Sequence, residues 1–259
     1  MKIGICVEST GLSLRSALPQ AARWSVGGVQ IDAVGDLAPD RLTGTARREL
    51  RNLLKTYNLE LTAVNCPLRW AIDVPDNQQA RIDYIRDAMT LAFDLGPRIV
   101  VVQCPQLPSE SEPVRAGLLK DALLAFGTHG DRIGTLVALE IGFDPGEKIR
   151  DYLNGFDVGS LAVNYDPANM LLQGHDPIKN VLPLTGKIVH THARDVRMGT
   201  VSRSAQEVPV GAGDIDWMSY IGTLAAIEYK GWVVVERQTG DDRLRDIAGG
   251  VAFLRRFVF

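Results

Sequence analysis

Several features that would assign a chain to a class at once are missing here. Cysteine occurs three times, at Cys6, Cys66 and Cys104, with no C-x-x-C pair. An odd set leaves at least one thiol unpaired. That argues against a disulfide framework or a cysteine zinc knot, and it fits a reducing cytoplasm. Apolar residues never run long enough for a membrane-spanning helix. The opening MKIGICVES reads as a strand and lacks a signal-peptide cleavage pattern. A basic excess is missing too. Lys and Arg number 28 against 31 Asp and Glu, for a formal net charge of −3, which disfavours nucleic-acid and anionic-membrane partners. The text after the first strand is CVESTGLSL, so neither G-x-G-x-x-G nor a P-loop is present. No low-complexity block or linker divides the chain.

What remains is 259 residues with 46% hydrophobic and 23% charged content, the balance of an ordinary globular protein. Short β-branched runs alternate with longer amphipathic stretches. Strands are expected at Ile3–Val7, Gly28–Ala33, Leu59–Asn65, Arg98–Gln103, Leu136–Ile141, Leu161–Tyr165, Ile188–His192 and Trp232–Glu236. Helical spacing marks Arg47–Tyr57, Ala80–Leu95, Val114–Phe126, Pro145–Leu153, Asp176–Leu184, Trp217–Glu228 and Asp242–Phe257. Ser13–Trp24 has similar spacing but is interrupted by Pro19. Asp76, Asp144 and Asp216 stand where helix caps are expected. Val201–Gly213 reads as a long loop. Eight strand–helix units at this length predict an α/β fold, a single (β/α)8 TIM barrel over residues 1–259, with an open doubly wound sheet as the alternative.

In a closed barrel, side chains at the C-terminal strand ends converge on one site. The last four apolar runs end in groups able to ligate a metal: Glu140, Asp166, His192 and Glu236. Each alone has an ordinary explanation. Asp166 precedes Pro167 and suits a helix cap, and His190 suits a hydrogen-bonded interior position. Together, three carboxylates in one partly buried mouth would repel without a cation. One imidazole and three carboxylates suit one divalent metal ion, Mn, Mg, Co or Zn.

At these residues the sequence resembles the sugar phosphate isomerase/epimerase superfamily, the xylose-isomerase-like TIM barrels. The similarity runs through LVALEIG, VNYDPANM, VHTHARD, VPVGAGDIDW and WVVVERQ and covers essentially the whole chain. It implies metal binding by Glu140, Asp166, His192 and Glu236, with His192 rather than His190 as the imidazole ligand. It also implies proton transfer by Glu140 and Glu236, through an enediolate held by the ion. The activity implied is a metal-dependent isomerase or epimerase acting on a small carbohydrate or polyol-derived substrate. Related barrels often form dimers or tetramers, so a homo-oligomer is compatible with the resemblance. The family's epimerases commonly carry a histidine three residues after the strand-six aspartate, where this chain has Asn169. They also carry an acidic residue after strand five, where only Glu147 is nearby.

Asn169, His190, Asp195 and Arg197 are the expected substrate contacts. Arg69 and Trp70 are placed to cover the site, and Glu8, Asp32 and Gln103 to line it. Cys66 and Cys104 read as buried packing residues. The PVGAGDIDW turn either presents backbone N–H groups to a phosphate or simply leads into a helix capped by Asp216. Arg255 and Arg256 read as a solvated helix face. A lyase that dehydrates a keto-cyclitol or a dehydroshikimate-like acid would use the same proton abstraction. A non-catalytic sugar- or metal-binding barrel would not need both Glu140 and Glu236. A multi-zinc DNA-repair barrel needs more ligands than His129, His175, His190 and His192 supply.

Overall fold

The structure, a computed structural model, describes residues 1–200 and 204–258. Eight parallel strands close into a barrel. They are β1 (Lys2–Cys6), β2 (Gly28–Asp32), β3 (Glu60–Asn65), β4 (Ile99–Gln103), β5 (Leu136–Ile141), β6 (Leu161–Tyr165), β7 (Ile188–Ala193) and, as the eighth barrel strand, β10 (Trp232–Val235). Neighbours follow chain order and β10 closes onto β1. Between them, β8 (Asp195–Arg197) and β9 (Gln206–Val208) form a separate antiparallel hairpin beyond β7.

The helices are α1 (Leu14–Arg23), α2 (Gly44–Thr56), α3 (Gln78–Leu95), α4 (Pro113–Ile133), α5 (Gly146–Asn154), α6 (Pro167–Leu172), α7 (Trp217–Ala226) and α8 (Arg243–Leu254). α1 runs through Pro19 because Ala17, Leu18 and Ala21 bury one face, and that packing outweighs the hydrogen bond the proline removes. The helix expected over Asp176–Leu184 is not formed. Asp176 accepts from the N–H groups of Ile178 and Lys179 and starts a turn. Pro183 cannot continue it, and only the 3-10 turn Leu182–Leu184 follows. The helix of that unit is the shorter α6.

Capping also differs from expectation at two of three positions. Asp216 does cap α7 by accepting from Ser219 N. Asn77, not Asp76, precedes α3. Asp144 instead turns inward to accept from Leu107 N and pair with Lys148. Of the expected loop Val201–Gly213, residues 201–203 lie outside the described residues, and part of the remainder is β9.

The strands read as nearly continuous apolar runs because both faces are buried. One face meets the helices in a core that includes Ile5, Val29, Val100, Leu139, Val163 and Val235. The other fills the bore, with Ala63, Val101 and Ala138 in one cluster and Cys6, Trp232 and Val234 in another. Gly28 makes room for that filling. A Cβ there would lie 2.7 Å from Thr62 Cγ2 and 2.8 Å from the Trp232 ring. Because strand side chains alternate, Glu140 stands two residues above Ala138, and Glu236 two above Val234.

Candidate metal centre

His192 is the hub at the C-terminal mouth. Its Nδ1 lies 2.9 Å from Glu236 Oε2 and 3.5 Å from Glu140 Oε2. Ligand atoms of Glu140, Asp166 and His192 all lie within 4.8 Å of one another, and so do those of Cys6, His192 and Glu236. The opposite ring nitrogen, Nε2, is 3.0 Å from Gln30 Oε1. A carboxamide oxygen only accepts, so Nε2 carries the proton and donates to it. Nδ1 is thereby directed at the carboxylates, the arrangement that orients a histidine ligand.

Asp166 uses its two oxygens differently. Oδ1 caps α6 by accepting from Ala168 N at 2.8 Å and Asn169 N at 3.1 Å. Oδ2 is buried and accepts no hydrogen bond. Its nearest charge is Arg194 Nη2 at 3.3 Å. Glu236 Oε2 faces His192 Nδ1 at 2.9 Å and pairs with it while that nitrogen holds a proton. Glu236 Oε1 accepts from Gln238 Nε2 at 2.8 Å. One orphaned carboxylate oxygen, two further carboxylates and an oriented imidazole are a donor set that fits a divalent ion.

The electrostatics follow from crowding. Burial, opposed by His192 and aided by the Glu236 and Asp166 charges, raises the Glu140 carboxyl to about 7. Burial alone would raise Glu236 too, but His192 dominates and holds it low. Burial would likewise lower His192, yet Glu236, Glu140 and Asp166 lift it to about 9. Ion binding at Nδ1 therefore displaces a proton.

Asn169 bridges the site. Its Nδ2 donates to Glu140 Oε1 at 2.9 Å, and its Oδ1 accepts from Arg194. A small cavity of about 50 Å³ opens here, lined by Glu140, Asn169, Gln103, Phe143, Leu172 and Gln173. Larger surface depressions lie elsewhere, one of about 1100 Å³ between α1 and α2, but none brings such donors together among the described residues.

Other expected contacts are placed differently. His190 sits one layer down the bore, fully buried, with Nδ1 2.9 Å from Asn164 Oδ1 and Nε2 3.2 Å from Thr62 Oγ1. Asp195 is fully buried and accepts from Gly211 N, Gly213 N and Trp217 Nε1, which secures the hairpin to α7. The glycine-rich turn thus spends those N–H groups on Asp195. Arg197 is exposed and donates to Ala212 O. Glu147 is exposed in the first turn of α5.

On the far side of the same mouth, Glu8 Oε1 accepts from Asp32 N, and Asp32 Oδ1 accepts from Asn65 Nδ2, both at 2.8 Å. Burial and Asp32 push the Glu8 carboxyl up to about 7. Trp70 is exposed with Arg69 against its ring. Burial raises both the Cys66 and Cys104 thiols, so neither is an activated nucleophile. Arg194, Gln30 and Asn164 were not expected from the sequence. The H-x-H-x-R-D run offered a signal for Arg194, since a basic residue two positions past His192 lies beside it on a strand extension.

A family model described as xylose isomerase-like TIM barrel matches residues 18–257. The chain belongs to this family. Among curated relatives, this xylose isomerase-like barrel is 32% identical over 230 residues to the rhizopine catabolism protein MocC of Rhizobium meliloti, covering 73% of the chain and 66% of that protein. It is 31% identical over 87 residues to the inosose dehydratase of Clostridium tetani, covering 29% of each. Both matches span less than two thirds of the relative's length. Among solved structures, a xylose isomerase domain protein from Planctomyces limnophilus superposes with a TM-score of 0.86 at 22% identity, covering 99% of this chain and 96% of that one. A D-tagatose 3-epimerase-like protein gives 0.82 at 20% identity, covering 99% and 97%. At these identities the superpositions establish the fold. No described helix is long and apolar enough to cross a membrane.

Proposed function

We propose that this barrel is a metal-dependent isomerase or epimerase of a small sugar or polyol-derived carbonyl compound. The observation that carries the reading is the convergence of Glu140, Asp166 and Glu236 on His192, with Asp166 Oδ2 left without a hydrogen-bond donor. Glu140, Asp166, His192 and Glu236 hold the ion. A divalent cation there supplies Lewis-acid polarisation of the substrate carbonyl, which acidifies the neighbouring C–H.

The chain's own groups do the rest. One of the two carboxylates, Glu140 or Glu236, removes the proton from the carbon beside the carbonyl, and the other returns a proton to the substrate. They stand on strands separated by β6 and β7, so each approaches from its own side of the mouth. Asn169 fixes the Glu140 carboxylate, and Gln238 fixes that of Glu236. Gln30 sets the His192 tautomer.

Glu236→Gln keeps the shape and removes the carboxylate. With Mn²⁺ added, wild-type protein exchanges solvent deuterium into a ketose, sugar phosphate or keto-inositol substrate, and the variant does not. Full exchange in the variant would show that Glu236 carries no essential proton.

A second reading is favoured by the likeness to an inosose dehydratase. The same abstraction, followed by loss of a β-hydroxyl, makes the enzyme a lyase on a keto-cyclitol. Release of water with a conjugated-enone absorbance selects that reading over isomerisation.

A further inference from the structure

Two donor triads meet at His192. Glu140, Asp166 and His192 form an oxygen-rich set. Cys6, His192 and Glu236 form a set with a sulfur, and all three offer ligand atoms within 4.8 Å of one another. Of the second set, Cys6 alone is not used by the chemistry above. Cys6 ends β1, is 4% exposed, and lies on the bore beside Val234 and Trp232.

The polar contact of the thiol is more specific. Gln30 Nε2 donates to Cys6 Sγ at 3.3 Å, while Gln30 Oε1 accepts from His192 Nε2 at 3.0 Å. One carboxamide therefore ties the sulfur to the central imidazole. Burial and the charges of Glu236, Glu8, Asp32 and Glu140 hold Cys6 as a thiol without an ion, so an ion that takes the sulfur must displace its proton. Thiolate with imidazole and carboxylate is the ligand combination preferred by thiophilic ions, whereas oxygen ligands suit Mg²⁺ and Mn²⁺.

We propose that the centre has a second coordination mode, in which Cys6 joins His192 and Glu236 around a thiophilic ion such as Zn²⁺, Cd²⁺ or Co²⁺. This rests on the metal-centre reading given above. On binding, the Cys6 S–H bond breaks, the sulfur lone pair forms the bond to the ion, and the proton leaves to solvent. No electron is transferred. Because His192 and Glu236 serve both modes, a thiophilic ion competes directly with Mn²⁺ or Mg²⁺ for the site.

The test is the electronic spectrum of the full chain titrated with Co²⁺ alone. The expected result is a thiolate-to-cobalt charge-transfer band in the near ultraviolet beside the visible d–d bands. In Cys6→Ser the charge-transfer band disappears and the d–d bands stay. In the same variant, the preference for Cd²⁺ over Mn²⁺ falls about ten- to a hundredfold, with Mn²⁺ affinity unchanged. Visible bands without a charge-transfer band in the wild type would overturn the role of Cys6 and leave the oxygen-rich centre intact. A charge-transfer band that survives in Cys6→Ser would overturn it as well, by assigning the sulfur to another cysteine. Absence of any cobalt spectrum would overturn both the second mode and the centre it rests on. If Cys6→Ser does not fold, Cys6→Ala carries the same assignment.

Discussion

Gly142→Ala is the substitution whose effect the structure defines most sharply. Gly142 follows β5 directly and faces α6. A Cβ built on it lies 2.4 Å from Asn169 Cβ, 3.1 Å from its carbonyl carbon and 3.2 Å from its Cα. Carbon atoms pack at about 3.5–4.0 Å, so the first contact is too short by about 1 Å. No rotamer of Asn169 relieves it, because the atoms met are backbone and Cβ. Either the end of β5 or α6 must move. α6 is six residues long and is anchored by Asp166 Oδ1. Moving it disturbs the orphaned Asp166 Oδ2 and the Asn169–Glu140 hydrogen bond together. The strain costs about 1–3 kcal/mol of stability, and the displaced ligand and its partner cost about ten- to a hundredfold in Mn²⁺ affinity. Urea unfolding and Mn²⁺ titration measure the two effects. Gly249→Ala is the control, since that residue is exposed on α8 with nothing within 4 Å of its would-be Cβ. It should gain about 0.5–1 kcal/mol. If Gly142→Ala matched the wild type in both assays, the steric argument and the assigned link from Gly142 to the centre would be refuted.

Arg194→Met leaves the fully buried Asp166 without its countercharge. The expected loss is about 3–5 kcal/mol, partly restored by Mn²⁺ through mass action. An unchanged melting temperature, or one that Mn²⁺ does not raise, contradicts this. His129 tests a region remote from the mouth, where its ring nitrogens meet Thr90 and Arg132. Burial, then Arg86 and Arg132, lower its pKa below 6.5. Its folded value lies beneath its unfolded one, so the unfolded chain binds more protons as pH falls, and His129 costs stability in acid. Relative to His129→Gln, the wild type should lose stability as pH drops from about 7 to about 5. A difference that stays constant with pH rules out that contribution.

The ends of β5, β6, β7 and β10 were legible because each apolar run stops at a polar residue, and barrel closure turns four separate strand ends into one mouth. α6 was harder to read. Six residues carry less than two turns of periodicity, and the apolar spacing after Asp176 looked more helical until Pro183 broke it. Gln30 and Arg194 were hidden for another reason. Gln30 meets His192 across the bore, at a sequence separation of 162, and no local pattern encodes which residues face each other across a closed barrel. Asp195 misled in the opposite direction. A charged residue just past a ligand strand suggests a substrate contact, yet the hairpin and Trp217 fold over it and use its carboxylate as an internal anchor. His190 shows the same limit. The period of two places it on the inward face with His192, but only the register shift between β6 and β7 sets it beside Asn164, one layer below the mouth.

The central claim is that Glu140, Asp166, His192 and Glu236 form a cation site, and direct metal analysis tests it best. Purified protein equilibrated with Mn²⁺, Co²⁺, Mg²⁺ or Zn²⁺ should retain about one divalent ion per chain, the stoichiometry of a single four-ligand site. Binding should weaken as pH falls and His192 holds its proton. Retention of none of the four ions at saturating concentration would contradict the account.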